Sequence, residues 1–173
     1  MKLELRVLNS GDASTFLAWR QEPTARRFNP LDDLTLGDLA HRLASETNEL
    51  GDQQKTAFRW VVGENGKDVG SVALTNVAWR MGFGEIGYMI TESCHGRGLG
   101  TNSVRLLVDK VFAETKLVRL VAIISAENVA SCRLVERLGF KREGTLREHF
   151  LIQGRRVDEN YYGLLRREWT GDV

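Results

Sequence analysis

The chain carries three alternate glycines in the stretch Cys94-His95-Gly96-Arg97-Gly98-Leu99-Gly100-Thr101. Glycine lets a ligand approach the backbone closely and adopts positive φ values that other residues resist. An apolar helical face begins directly after this stretch, at Val104, Leu107, Val108, Val111 and Phe112. Because the positive end of that helix points at the loop, the stretch predicts a binding site for an anion such as pyrophosphate.

Two common nucleotide-binding motifs fit this stretch poorly. A P-loop has a lysine before the serine or threonine that follows its last glycine, whereas Thr101 follows Gly100 here with no lysine. The dinucleotide fingerprint needs two residues between its second and third glycines, whereas only Leu99 separates Gly98 from Gly100. Taken alone, the glycines are equally compatible with a tight turn that binds nothing.

Strand patterns lie on both sides of the loop. They occupy residues 3–7, 58–62, 69–74, 85–90, 120–124, 146–152 and 157–165. Asn65-Gly66 predicts a tight hairpin turn between the second and third of these strands, and Gln153-Gly154 predicts one between the last two. The run at 120–124 is apolar throughout and rich in branched residues, which predicts a strand buried on both faces.

Helix patterns fill the intervals. The first predicted helix carries Phe16, Leu17 and Trp19, preceded by candidate caps at Asn9, Ser10 and Asp12. It is predicted to end near Pro23, and Thr35 with Asp38 forms a capping-box pattern for the next helix. A later helix is predicted to begin at Asn128 and to end at Gly139 as a left-handed C-cap.

A second motif lies one strand and one helix downstream of the loop, at a spacing that a single ligand can bridge. It reads Ala126-Glu127-Asn128-Val129-Ala130-Ser131-Cys132-Arg133-Leu134-Val135-Glu136-Arg137-Leu138-Gly139-Phe140. Together with the glycine stretch it resembles the GNAT superfamily of acetyltransferases, and most closely the RimJ/RimL-type branch. The closer match includes Gly87-Tyr88 and the ending from Glu143-Gly144-Thr145-Leu146-Arg147 through Asp158 to Glu168-Trp169. It is specific in the C-terminal half and loose in the N-terminal half.

The resemblance implies an α/β (α+β) GNAT fold, with a mixed, mostly antiparallel twisted sheet of about seven strands flanked by helices. Its central strands are expected to splay, so that the thioester arm of acetyl-CoA inserts between them. Acetyl-CoA is the implied cosubstrate. The resemblance places its pantetheine arm at Asn128 and Ser131 and its thioester carbonyl at the backbone amides of Met89 and Ile90. It places the pyrophosphate at the loop residues His95, Gly96, Arg97, Gly98, Leu99, Gly100 and Thr101. His95 stands where the superfamily commonly has arginine or glutamine, at a position that mostly shapes the loop.

Acetyl transfer to an amine needs a neutral amine, a donor for the developing oxyanion and a proton for the thiolate. The resemblance makes Glu85 the candidate general base, acting through water; the alternative is a solvated glutamate at a strand end. Val135 occupies the place of a tyrosine that protonates the thiolate in other members, and valine cannot donate a proton. Ser131 matches a serine that the RimJ/RimL-type branch places near the thiol, although local helix capping explains it equally well.

Composition excludes several other classes of protein. The 173 residues predict a single domain over 1–173, and the formal net charge of +1 argues against a nucleic-acid partner. Cys94 and Cys132 lack metal-ligand or triad spacing, so we expect no metal, no cysteine nucleophile and a reduced cytoplasmic setting. The chain shows neither a signal-peptide core nor an apolar run of bilayer length, so we expect neither export nor a membrane.

The acceptor amine is left open by the sequence. The RimJ/RimL-type match favours direct attack by the α-amine of a protein or peptide N-terminus, while relatives with similar motifs acetylate small amines such as polyamines, amino acids or antibiotics. His149 in the closing hairpin is a candidate for the acceptor side, although a lone histidine is more often structural. A non-catalytic CoA-binding module is a third interpretation, which Val135 supports. A homodimer is compatible with the sequence, which does not determine the oligomeric state.

Overall fold

The computed structural model describes residues 2–30, 35–45 and 49–171. The described strands are β1 (Leu3–Val7), β2 (Phe58–Glu64), β3 (Lys67–Ala78), β4 (Phe83–Ile90), β5 (Arg119–Ser125), β6 (Lys141–Ile152) and β7 (Arg155–Leu165). The described α-helices are α1 (Ala13–Arg20), α2 (Pro23–Phe28), α3 (Leu36–Leu43), α4 (Leu99–Glu114) and α5 (Val129–Arg137). Three short 3₁₀ turns lie at Ser10–Asp12, Glu92–Cys94 and Arg166–Glu168.

The strands form one seven-stranded sheet in the order β1-β2-β3-β4-β5-β7-β6. Neighbouring strands are antiparallel except β4 and β5, which are parallel. The β4–β5 pairing covers only Phe83 with Arg119, Gly84 with Leu120 and Glu85 with Val121. Beyond Glu85 the two strands diverge and leave a gap between them, which we call the central gap. The predicted mostly antiparallel sheet with splayed central strands is confirmed.

Helices cover both faces of the sheet, as the apolar patterns require. On the back face, α4 buries Val104, Leu107, Val108 and Val111 completely in the main apolar cluster. A smaller cluster on the front face joins α1 and α3 to Val61 of β2, with Met89 of β4 packed against it. Side chains alternate between the faces along each strand. Glu85 and Gly87 therefore lie on the front face together with Met89.

The first helix, α1, ends at Arg20, near Pro23 as predicted. Two features differ from the prediction. Pro23 also begins a further helix, α2, because its fixed φ suits the first helical position and needs no N–H partner there. Strand β6 begins at Lys141 rather than near Leu146. Its first residues are polar and exposed, so they lack the alternation that marks a strand, and only their pairing with β7 makes them one.

Candidate active site

The glycine stretch forms a loop of residues 95–100, here called the phosphate loop, between β4 and α4. Gly96 and Gly98 both adopt φ of +75°, a left-handed conformation that favours glycine. Among the described side chains none caps the N-terminus of α4, whereas Asn128 caps α5. Backbone donors at the positive end of a 16-residue helix are thus left for an anion, which is the arrangement that a pyrophosphate needs.

Gly100 brings the phosphate loop against the Asn128 segment. A Cβ atom at position 100 would lie 2.9 Å from Cδ1 of Leu134 in α5, closer than packed carbon atoms approach. A side chain at position 100 would therefore displace the end of the Leu134 side chain, which packs over the first turn of α4. This contact puts the two sequence motifs next to each other at the open end of the central gap.

His95 and Arg97 fix the shape of the phosphate loop. The His95 Nε2 atom lies 2.7 Å from the carbonyl oxygen of Ile90, so the ring ties the loop to the end of β4. The Arg97 guanidinium contacts both oxygens of Glu64, at 2.9 and 2.8 Å, and Glu64 is buried. The His95 and Arg97 side chains therefore each hold the loop through a contact with a neighbouring strand.

The β4 edge offers a backbone donor to the central gap. The Thr91 N–H donates to the carbonyl of Val69 on β3 at 2.9 Å. Because N–H groups alternate between the two edges of a strand, the Ile90 N–H points to the opposite edge, where β5 has diverged. By the same alternation, the Met89 N–H lies on the edge that pairs with β3. Of the two predicted amides, that of Ile90 therefore faces the gap.

Polar groups gather where α5 begins. The Asn128 side-chain oxygen accepts the Ser131 N–H at 3.1 Å, which caps the helix and leaves the amide nitrogen for another partner. The Tyr88 hydroxyl donates to the Ser131 carbonyl at 3.3 Å, and burial raises the pKa of Tyr88 to about 12. Tyr88 therefore stays protonated at neutral pH. Val135 is fully buried and offers no proton.

Glu85 is oriented by a neighbouring strand. The Asn76 side-chain nitrogen donates to Glu85 Oε2 at 2.9 Å. Asn76 has a φ of +49° and lies in an irregularity of β3 between Thr75 and Ala78. The irregularity turns the Asn76 side chain toward Glu85. Strand bulges near functional sites often redirect a side chain in this way. Asn76 was not predicted, because a bulge leaves no periodic signal in the sequence.

His149 has a buried carboxylate partner that the sequence did not reveal. Its Nδ1 atom lies 2.7 Å from Oε2 of Glu159 on β7, and Glu159 is only 1% exposed. Burial raises the pKa of Glu159; the contact with His149 opposes the rise, and the negative charge of Glu85 adds to it. Glu159 pairs with Ser125 of β5 and lies on the same front face as Glu85.

A cavity of about 270 Å³ opens on the front face between α1, α2 and strands β2–β4. Its lining comprises Phe16, Arg20, Ala25, Asn29, Pro30, Arg59, Ser71, Val72, Ala73, Gly87, Tyr88 and Met89. Its charged residues are Arg20 and Arg59, and no carboxylate is among these lining residues. The cavity reaches β4 at Gly87 and Met89, next to the central gap.

A set of hydrogen bonds fastens α2 to the end of β4. The Glu22 carboxylate accepts from the Thr91 hydroxyl at 2.5 Å and from the Glu92 N–H at 3.0 Å. The Glu92 carboxylate accepts from the Thr24 N–H at 2.6 Å, and hydrogen bonding by the Thr24 side chain and backbone lowers the pKa of Glu92. The helix over the cavity and the turn before the phosphate loop are therefore joined directly.

Within the described residues, no group of three or more His, Cys, Asp and Glu side chains could hold a metal ion, and no helix is long and apolar enough to cross a membrane. Cys94 is partly buried, Cys132 is buried, and neither forms a disulfide.

Comparison with known proteins fits this geometry. The family model of the acetyltransferase (GNAT) domain matches residues 2–141. The chain belongs to the GNAT acetyltransferase family. It is 28% identical over 171 residues to the uncharacterized N-acetyltransferase p20 of Bacillus licheniformis, covering 98% of this chain and 96% of that protein. The prediction of an acetyltransferase enzyme is confirmed, against a non-catalytic module.

Solved GNAT structures share the whole fold. Spermidine N-acetyltransferase of Vibrio cholerae, in complex with CoA and spermine, superposes with a TM-score of 0.83 at 22% identity over 96% of both chains. RimJ of Mycobacterium smegmatis, in complex with CoA-disulfide, also has a TM-score of 0.83, at 21% identity over 96% of this chain and 83% of that one. The RimJ/RimL-type resemblance is confirmed at the level of the fold. Neighbours of both kinds bind CoA.

Proposed function

We propose that this enzyme transfers the acetyl group of acetyl-CoA directly to the α-amine of a protein or peptide N-terminus. The observation that favours this acceptor is the distribution of charge on the front face. Arg20 and Arg59 line the cavity, while Glu85 lies two residues along β4 from Gly87, where the cavity reaches that strand.

This charge pattern matches a peptide end better than a polyamine. The ammonium group of an N-terminus is attracted to Glu85, and the carbonyl groups that follow it suit the arginines, which are strong donors to oxygen. A polyamine has a second cation where a peptide has carbonyls, and like charges repel. Among the described lining residues the charged side chains are these two arginines, which favours a ligand with oxygen acceptors over a polycation.

The phosphate loop and the central gap fit acetyl-CoA in size and chemistry. The uncapped start of α4 suits the pyrophosphate, with His95, Arg97 and Thr101 around it. The free amide nitrogen of Asn128 suits the carbonyls of the pantetheine arm, and the N–H of Ile90 suits the thioester carbonyl. Of these groups, the Asn128 amide nitrogen and the Ile90 N–H face the gap, while His95 and Arg97 also hold the loop through Ile90 and Glu64.

The reaction requires two proton movements. We propose that Glu85, held by Asn76, removes one proton from the ammonium through a water molecule. The neutral nitrogen then attacks the carbonyl carbon while the Ile90 N–H stabilises the oxyanion, and the carbon–sulfur bond breaks. The thiolate takes the remaining proton from nitrogen, with Ser131 as its hydrogen-bond partner. The products are an acetamide, CoA thiol and one proton released to solvent.

Two variants of Asn128 distinguish its role in cofactor binding from its role in helix capping. In Asn128→Asp the carboxylate still caps Ser131 but the amide donor is lost, so we expect a higher KM for acetyl-CoA and an unchanged Tm. In Asn128→Ala the cap is also lost, at about 0.5–2 kcal/mol of unfolding free energy. In both variants KM for acetyl-CoA should change more than kcat. An unchanged KM in both would remove Asn128 from the cofactor site.

The acceptor is tested by measuring CoA thiol release with a matched panel. The panel contains short peptides with free N-termini, the same peptides with blocked N-termini, spermidine and free amino acids. We expect the highest kcat/KM with free peptide N-termini, and a loss of that preference in Arg59→Gln. A preference for spermidine or amino acids would overturn the acceptor assignment and leave the acetyltransferase chemistry intact.

We also propose a cytoplasmic location. The two cysteines of the chain form no disulfide, as is usual for proteins in a reducing compartment.

A further inference from the structure

The pair of His149 and Glu159 is an acid–base arrangement that the mechanism above does not use. Glu159 is almost fully buried, while the His149 side chain is 43% exposed. Its Nδ1 atom is the one directed at the carboxylate, at 2.7 Å. When Nδ1 carries the proton and donates it to Glu159, the lone pair of the neutral ring is on Nε2, on the far side from the carboxylate.

A local irregularity of the backbone aims His149 at this partner. The register between β6 and β7 shifts between Leu146 and Phe150, and Glu148 adopts a φ of +51°. The Glu148 N–H is fixed by Asp158 Oδ1 at 2.8 Å. A left-handed conformation at a residue other than glycine costs about 1–3 kcal/mol, and such residues cluster at functional sites. This residue directly precedes His149 in β6.

Glu159 lies on the front face together with Glu85, on the other side of the central gap. Burial raises the pKa of Glu159, and the negative charge of Glu85 adds to the rise. Helix α2 packs against β6 and is joined to the β6–β7 turn by Gln153, which donates to the Arg26 carbonyl at 3.1 Å. Besides Glu85 and Glu159, the charged groups of these elements are Arg26 and Arg27 on α2, Lys141, Arg142, Glu143, Arg147 and Glu148 on β6, and Arg155, Arg156 and Asp158 on β7.

We propose that His149 is a second proton-accepting residue of the acceptor site, positioned by Glu159. The inference rests on the proposed acetyl transfer to an amine. The proton that Glu85 draws from the ammonium through water passes on to His149 Nε2, and Glu159 stabilises the imidazolium, so a single proton leaves nitrogen before the attack. The neutral amine attacks the acetyl carbon, the carbon–sulfur bond breaks, and the thiolate takes the second proton from nitrogen. The imidazolium then releases its proton to solvent.

Reference acidities favour a histidine for this step. An N-terminal α-ammonium has a pKa of about 7.7–8.0, an imidazole about 6.5 and a glutamate carboxyl about 4.3. Proton transfer from the α-ammonium is therefore unfavourable by a factor of roughly 10–30 to an imidazole and roughly 10³–10⁴ to a carboxylate of those reference values. Glu85 and His149 thus complement each other, since the carboxylate attracts the cation and the imidazole is the better acceptor of its proton.

The test compares pH profiles of kcat/KM for wild type, H149Q, E159Q and the double variant H149Q/E159Q. Glutamine at 149 can still donate to Glu159, which protects the fold. We expect H149Q to lower kcat/KM about 10- to 100-fold at pH 7, with KM for acetyl-CoA within twofold of wild type. The deficit should shrink toward pH 10, where the amine is already neutral. The double variant should be no slower than H149Q, because Glu159 acts through His149.

His41 provides the matched control, because it is an exposed histidine on α3, which packs against β2 rather than against β6 and β7. H41Q should follow the wild-type profile at every pH. A profile of H149Q that coincides with that of H41Q would overturn the proposal. So would a deficit of the same size at pH 7 and pH 10, because a purely structural role does not depend on the protonation of the amine.

Nuclear magnetic resonance of ¹⁵N-labelled histidine tests the same claim without turnover. We expect the neutral His149 ring to be the Nδ1–H tautomer in wild type and a mixture of tautomers in E159Q. In the wild-type CoA complex, we expect the His149 signals to shift when a peptide with a free N-terminus is added. If the wild-type protein acetylates no amine but shows these shifts, the proposed function is contradicted and the placement of His149 in the acceptor site is supported. A His149 signal that ignores the peptide would overturn that placement.

Discussion

Replacing Gly98 by valine is expected to weaken acetyl-CoA binding by about a hundredfold. Gly98 precedes the first turn of α4 with φ of +75°, and a branched residue in that conformation is strained by about 1–3 kcal/mol. The loop relieves the strain by changing its backbone, which turns the N–H groups away from the phosphates. The new side chain also covers the surface that a phosphate approaches. Isothermal titration with acetyl-CoA measures the effect.

Gly82→Val is the matched control for this variant. Gly82 has nearly the same φ, +76°, but lies at the opposite end of β4 from the phosphate loop. The Cβ of the added side chain would lie 3.2 Å from Cγ2 of Val118, a side chain at the surface that is 55% exposed. Both variants should lose unfolding free energy, whereas the Kd of Gly82→Val for acetyl-CoA should stay within twofold of wild type. Equal losses of affinity in the two variants would contradict a phosphate site at residues 95–100.

The second large effect is expected from Glu85→Gln. The glutamine can still accept the Asn76 hydrogen bond through its carbonyl oxygen, so the geometry of β4 is kept while the negative charge and the base are lost. We expect kcat/KM to fall about 10²- to 10³-fold at pH 7, with acetyl-CoA affinity unchanged. Activity should recover as pH rises, because deprotonation of the amine by solvent replaces the lost base.

Glu114→Gln controls for the loss of one carboxylate. Glu114 is exposed at the end of α4 and pairs with Lys110 at 2.7 Å, on the opposite side of the sheet from Glu85. It should retain the wild-type rate and pH profile. If Glu85→Gln keeps the acidic limb and the rate of wild type, then Glu85 is not the base and the role of proton acceptor passes to His149 alone.

Features encoded by adjacent residues were predictable from the sequence. The capping box of Thr35 and Asp38 is present in both directions, and Gly139 has a φ of +87° at the end of α5. Asn65 and Gly66 both adopt positive φ between β2 and β3. In each case the conformation depends on a side chain or a missing Cβ within a few residues, so the local pattern contains the whole cause.

The acceptor side was predictable only in part, because its geometry depends on strand irregularities. Glu159 is polar in a strand pattern that alternates poorly, and its burial follows from the register of β7 against β5 and β6. Asn76 and His149 contact their partners because bulges shift the alternation of side chains along β3 and β6. A periodic sequence pattern does not predict where such bulges occur. The Gly87-Tyr88 pair was noted as a family feature, but the contact of Tyr88 with Ser131 depends on how α5 packs.

Direct acetyl transfer is tested most simply with acetyl-labelled [¹⁴C]acetyl-CoA in two mixtures. Without an amine, we predict no label on the protein and no release of CoA above the rate in buffer. With a peptide bearing a free N-terminus, we predict that the label appears on its α-nitrogen in a one-to-one ratio to CoA thiol. Label retained on the protein without an amine, or CoA released with no labelled amine, would contradict the account.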